Sequence, residues 1–213
     1  MKLILTTTIA AALLAGCSTH GEDSHLVATK LIQATPAADT TGAGGCAYSA
    51  DTLENAFGLF DPSAGYQHAV VIENRLQDNT DLNLGRFNTN EFQVEGATVK
   101  TDVLVGPAQS IPEQTVPANG LIQVGQILPV AIRLAQPAAI QPGSEVRFHI
   151  QVFGRILDGS KVSTNTYEYA AAADTVQQPT CGTGTPTFCE TADPTGQTAT
   201  QDTGFSCVGA TTP

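Results

Sequence analysis

The 213-residue chain carries 20 acidic side chains against nine lysines and arginines, a formal net charge of -11. A surface this acidic repels phosphate backbones, which excludes nucleic acid as a natural partner. With 14% of residues charged and no tryptophan, the length and makeup suit one extracytoplasmic β-domain with appendages rather than two full domains.

At the N-terminus Lys2 precedes a mostly apolar stretch from Leu3 to Leu14, which runs into Ala15, Gly16 and Cys17. One basic residue, a short apolar core and small residues before a cleavage point describe a secretory signal. A membrane span needs roughly 20 apolar residues, and this run is shorter. Leu14-Ala15-Gly16-Cys17 resembles the bacterial lipobox. The resemblance implies removal of residues 1–16, a diacylglycerol on the Cys17 thiol and a palmitate-type chain on its new amino group. Ser18 in place of an aspartate favours outer-membrane sorting by the same resemblance, with the domain facing the periplasm or the cell surface. Each buried methylene contributes about 0.8 kcal/mol and one chain binds only marginally, so three chains make a durable anchor. The mature chain would carry eight basic and 20 acidic side chains, a net charge of -12.

Residues 17–45 read as the lipidated cysteine and a flexible tether. Ser, Thr, Ala, Gly and Pro dominate, closing on Thr40-Thr41-Gly42-Ala43-Gly44-Gly45, and such a segment buries too little apolar surface to offset its ordering entropy. Leu26 to Ile32 is the exception, with the pattern of a short docked strand. Residues 46–65 read as a helical lead-in. Asp51 and Glu54 stand at capping-box spacing, followed by apolar Ala56, Phe57 and Phe60 ahead of Pro62.

From Tyr66 the pattern alternates. Val70, Ile72 and Leu76 share one face; Val71, Glu73 and Arg75 take the other. Phe92 and Val94 are in one phase, whereas Val99, Val103 and Val105 are in the opposite one. The slip falls at Glu95-Gly96-Ala97, where glycine permits a bulge. Val130, Ile132 and Leu134 alternate, as do Val146, Phe148, Ile150 and Val152. Asp158-Gly159 predicts a hairpin with a type I′ turn, returning through Thr164, Tyr167 and Tyr169. The run Gly106–Pro117, Asn119-Gly120, Pro137 and Pro142-Gly143 punctuate the strands. Several short strands without intervening helices predict an all-β fold, an antiparallel immunoglobulin-like β-sandwich over residues 66–174.

Residues 175–213 form a Cys-containing, loop-rich tail. Besides Cys17 the chain holds Cys46, Cys181, Cys189 and Cys207. Four cysteines in an oxidising compartment predict two disulfides, with three pairings open. Four zinc-binding thiolates are the rival, disfavoured by the lack of a C-x2-C pair. Pairing Cys46 with Cys181 would enclose the sandwich and stabilise by about 4–5 kcal/mol, and Cys189 with Cys207 by roughly 3 kcal/mol. Lipobox, sandwich with Phe153-Gly154-Arg155 and Asp158-Gly159, and a tail with Gln201-Asp202 before Cys207 together resemble uncharacterised envelope lipoproteins of myxobacteria. That group supports the architecture and carries no activity across.

Chemistry-bearing motifs are sparse. No Gly-x-Ser-x-Gly elbow surrounds Ser63, Ser110, Ser144 or Ser160, and no His-Glu-x-x-His occurs. His68 and His149 on neighbouring strands, with Glu73 or Glu168, would make a metal or acid–base pair; outward polar residues are the commoner explanation. Asp78, Asp81 and Asn83 offer alternate oxygens for calcium, although the glycine and distal glutamate of an EF-hand are absent, and Asp and Asn are ordinary turn residues. Tyr66, Tyr167 and Tyr169 are the candidates for glycan stacking, with core burial the simpler role. The expectation is a non-enzymatic, cofactor-free structural or interaction module. It would be held by acyl chains and contact envelope proteins through its edge strands and end loops. A ligand-binding lipoprotein for calcium or a glycan is the alternative.

Overall fold

A computed structural model describes residues 25–33, 35–36, 46–52, 54–80, 88–136, 138–174, 185–188 and 205–208, with backbone alone at 35–36, 46–47, 185–188 and 205–208. The described residues hold strands and no helix. In chain order these are β1 (Leu26–Ile32), β2 (Thr35–Pro36), β3 (Cys46–Ala47), β4 (Gly58–Phe60) and β5 (Tyr66–Asn74). Then come β6 (Phe92–Val105), β7 (Gln114–Ile122), β8 (Ile127–Ala135), β9 (Ser144–Ile156), β10 (Lys161–Ser163) and β11 (Tyr167–Ala173). β12 (Thr185–Phe188) and β13 (Phe205–Val208) follow.

Two sheets share one core. The smaller is antiparallel, in the order β1-β5-β8. The larger is mixed, in the order β4-β11-β9-β6-β7, with β10 also on β9 and β4 running parallel to β11. Leu31, Val70, Ile72, Ile132 and Leu134 from the small sheet meet Phe92, Val99, Phe148, Ile150 and Ala171 from the large one. Alternation drives this arrangement, since residues two apart share a strand face. β5 is apolar on both faces because Ala69 and Val71, on its outer side, are covered with Ile32 by Tyr48 and Ala50. Two short antiparallel ladders, β2 with β3 and β12 with β13, complete the described strands.

The phase slip in β6 is present. Its register against both β7 and β9 shifts between Val94 and Gly96, so Phe92 and Val94 and then Ala97 and Val99 all point inward. A Cβ on Gly96 would lie 2.7 Å from Phe153 Cζ and 2.8 Å from the Val116 carbonyl oxygen, closer than side chains approach. A second shift between Val103 and Val105 leaves Val105 56% exposed, so it does not join Val99 and Val103 in the inward phase.

Several expectations are corrected. No helix forms in the described part of 46–65: Thr52 N closes a turn on Ser49 O, and Glu54 accepts from the Tyr167 hydroxyl instead of reaching back to cap. Phe57 is exposed, and the apolar residues after it become β4, whose Phe60 enters the core. The sheets also include β1 and β4, which precede the boundary at Tyr66. Asn119-Gly120 lies within β7, and the chain turns at Gln123–Gln126 instead, where Gly125 has φ of 74°. The Asp158-Gly159 hairpin forms, but Ala138 is the only described non-glycine at positive φ. A type I′ turn is therefore excluded; a three-residue loop, Leu157–Gly159, with Gly159 at φ 91° replaces it. The tether outside β1 and β2, and most of the tail, fall outside the described residues. The same holds for Cys17, Cys181, Cys189 and the side chains of Cys46 and Cys207.

One buried amide ties the sheets together. Asn74, fully buried at the end of β5, donates from Nδ2 to the carbonyls of Asn90 and Ile122, both at 2.9 Å, and accepts from Leu76 N through Oδ1 at 3.0 Å. Asn74→Ala should orphan these three backbone groups and cost about 3 kcal/mol or more. A urea titration checks it, with the midpoint falling and the slope unchanged.

Candidate binding surfaces

The sheet edges carry less binding capacity than alternation alone suggests. Exposed edge strands present unpaired backbone groups, and natural proteins blunt them. Here β7 contains Pro117 and β8 contains Pro129, each removing a backbone donor from an edge strand. β4 is only three residues long. β1 is bulged between Ala28 and Lys30 and capped by a side chain: Asn165 Oδ1 accepts from Ala28 N at 2.7 Å, and its Nδ2 donates to Ala28 O at 3.3 Å. Strand addition is thus disfavoured along all four edges.

The outer face of the large sheet holds a charge ladder. Lys100 and Asp102 lie on β6, Arg147 and His149 on β9, and Glu168 on β11, with Glu168 directly across from His149. His149 Nε2 is 2.8 Å from Asp102 Oδ2, and its Nδ1 is 3.4 Å from Glu168 Oε1. Lys100 Nζ is 3.2 Å from Asp102, and Arg147 reaches Glu168 at 3.5 Å. Bonding to Lys100 first, then His149, holds the Asp102 carboxyl below its ordinary value. The two ring nitrogens of His149 point to different carboxylates, which describes a cross-strand ladder rather than ligands converging on one centre.

His68 is elsewhere. It is fully buried within the core, where Nε2 is 2.8 Å from the Tyr66 hydroxyl, itself 3.0 Å from the Tyr169 hydroxyl. Gly58 leaves room for both hydroxyls: a Cβ there would sit 2.0 Å from that of Tyr66. His68 and His149 therefore do not meet, and Glu73 pairs with Arg75 at 2.6 Å; of the two glutamates, Glu168 is the one beside His149, which also contacts Asp102. Tyr66 and Tyr169 are core residues, and Tyr167 is half-buried against Glu54, with burial first and that bond second raising its hydroxyl pKa. None of the three is an open stacking platform. Of the calcium candidates, Asp78 accepts from Thr80 N at 2.8 Å in a local turn, its carboxyl held low by Thr80. Asp81 and Asn83 lie outside the described residues. Among the described residues no cluster of three metal-binding side chains occurs, and no helix is long and apolar enough to cross a membrane.

A cleft that the sequence did not flag opens between the sheet edges. It has a volume of about 560 Å³, with Val116–Asn119 of β7 on one side and Ala131 and Arg133 of β8, Gln67 of β5 and Gln136 on the other. Gln67 and Arg133 are cross-strand partners, and Gln67 also bonds to Tyr48. Arg75, Arg147, Arg155 and Lys100 each face a carboxylate. Arg133 faces none among the described residues, although acids outnumber bases two to one. No protein-family model, curated protein or solved structure matches this chain.

The ladder yields a test. A carboxyl held below its ordinary value of 3.8 stabilises the fold above that pH and loses this contribution as pH falls through the folded value. The Asp102→Asn variant should therefore show a shallower loss of thermal midpoint below about pH 4 than the parent, read by circular dichroism melts.

Proposed function

We propose that this chain is an outer-membrane lipoprotein, held by acyl chains on Cys17, whose domain serves the cell envelope as a non-enzymatic interaction or structural module. The lipobox Leu14-Ala15-Gly16-Cys17 supports the anchor. The strand order supports an immunoglobulin-like reading of the two sheets. β1-β5-β8 follows the A-B-E order, and β11-β9-β6-β7 follows the G-F-C order with an added C′ strand. Two disulfides among Cys46, Cys181, Cys189 and Cys207 belong to the same reading, because the compartment that acylates Cys17 also oxidises thiols.

The observation that carries the interaction role is the Arg133 cleft. A guanidinium presents a planar fork of donors that matches a carboxylate bidentately. Half-buried and facing no carboxylate among the described residues, Arg133 is available to one from outside. The amides of Asn119 and Gln136 add donors and acceptors, and Val116, Pro117 and Ala118 add small apolar contacts. The chain's overall negative charge repels polyanions, so the group received is a single carboxylate on a largely neutral partner surface.

Crosslinking on intact membranes, followed by purification through a C-terminal tag, tests this. Arg133→Glu should lower recovery of the partner about tenfold, since charge reversal places like charges in the contact. Membrane fractionation and the melting temperature should not change. Cys17→Ala should move the protein to the soluble fraction. Equal recovery with Arg133→Glu, or no partner from the parent, contradicts the interaction reading. A Cys17→Ala protein that still sediments with membranes contradicts the anchor.

A further inference from the structure

The anchor and the fold together set which end of the domain meets the bilayer. β1 begins at Leu26, nine residues after Cys17. Fully extended, nine residues span at most about 30 Å, roughly the thickness of the hydrocarbon core. The tether is therefore far shorter than residues 17–45 suggest, and whatever surrounds Leu26 is kept near lipid. Leu26 pairs with Asn74, and the Asn74 amide reaches the carbonyls of Asn90 and Ile122. Phe92 pairs with both Ile122 and Ile156, and Leu157 N donates to Thr89 O. These contacts define one end of both sheets. Asp174, after which the tail departs, follows Ala173, which pairs with Ser144 at the opposite end.

The Leu26 end carries three large apolar side chains half open to solvent: Leu121 at 49%, Ile127 at 50% and Leu157 at 51%. Ile127 pairs with Glu73 and Leu121 with Gln93, each one position from the sheet end, while Leu157 begins the hairpin loop. Two strand ends and one loop thus bring apolar groups to the same rim without covering them. Of the described basic groups there, Arg75 is neutralised by Glu73 and Arg155 by Glu95, while Lys161, across from Arg155, faces no carboxylate among the described residues.

We propose that this rim rests on the lipid surface, with Leu157, Ile127 and Leu121 entering the interfacial zone as a second, non-covalent membrane contact. It rests on the lipid-anchor reading. Three half-exposed side chains would not hold a free protein on a bilayer, but a tether of only nine residues raises the effective concentration of the second contact to about millimolar. Asp158 and Lys161 beside Leu157 carry opposite charges and give anionic headgroups no net attraction, so zwitterionic lipid is the fitting surface.

The absence of tryptophan makes the test clean. The full acylated chain carrying Leu157→Trp is reconstituted into phosphatidylcholine vesicles with and without bromine on the acyl chains. An indole at headgroup depth should shift to the blue and lose roughly half its emission to the bromines. Leu104→Trp, at the far end of β6, should stay unquenched. Because tryptophan itself favours the interface, Leu121→Trp is also read with Leu157 intact and as Leu157→Ser, where quenching should fall. Equal emission from Leu157→Trp and Leu104→Trp, or Leu121→Trp indifferent to Leu157→Ser, overturns the contact. Flotation with the vesicles and the mass of the N-terminal peptide separate the two readings. An acylated, floating, unquenched protein refutes the rim contact alone, while an unacylated chain refutes both.

Discussion

The architecture depends on the side chain of Asn74. Two sheets packed through apolar side chains alone can slide, because dispersion and hydrophobic burial are non-directional. The Asn74 amide removes that freedom at one end. It spends both donors on carbonyls after β5 and at the close of β7, and its oxygen on the amide of Leu76. Its own backbone bonds to Gln126 and Gly125. A fully buried amide in this position fixes the start of β6, the turn from β7 to β8 and the end of β5 at once. Neutral hydrogen bonds contribute only about 1 kcal/mol each when made, but orphaned partners cost more. The constraint therefore acts chiefly by penalising every alternative register.

Within that frame, β6 shows how sequence and sheet geometry are reconciled. A strand of 14 residues with a strict period of two cannot bury both Phe92 and Val99, which are seven positions apart. The bulge at Gly96 adds the odd residue, and β9 accommodates the close approach with Phe153 lying against the glycine. This was legible, because phase changes and glycines are local signals. So were the strands with clean alternation, and the apolar patch Leu26–Ile32 in an otherwise polar stretch. The helix expected near Asp51 failed for a non-local reason. Its capping pair is diverted, Glu54 to the Tyr167 hydroxyl from more than a hundred residues away, and Gly58–Phe60 gains more by joining β11 than a single helical turn would return.

The surface features were the least legible. Arg133 alternates with Ile132 and Leu134 like any outward residue, and only the tertiary arrangement shows that no carboxylate among the described residues lies opposite it, while the other three described arginines are paired. Similarly, His68 and His149 look equivalent in the sequence. One is enclosed with two tyrosines and the other lies in an outer charge ladder, because the two strands belong to different sheets. Pro117 reads as punctuation, yet it falls within an edge strand, as does Pro129, and a missing donor there guards against strand addition.

The two proposed contacts are compatible because of how far apart the fold places them. Ile127 begins β8 at the Leu26 rim and Arg133 is six residues further along the same strand. At about 3.3 Å per residue this sets the guanidinium roughly 20 Å farther from the bilayer. Gln67 and Gln136 lie toward that same distal end, since Tyr66 pairs with Ala135, and the tail also leaves there after Asp174. A domain lying flat would press the cleft against lipid, where an uncompensated guanidinium loses hydration. In the proposed pose, standing on the Leu26 rim leaves the cleft wet. If Cys17 is the anchor as proposed, its distance of nine residues from Leu26 and the apolar rim together favour an orientation in which Arg133 can receive a carboxylate.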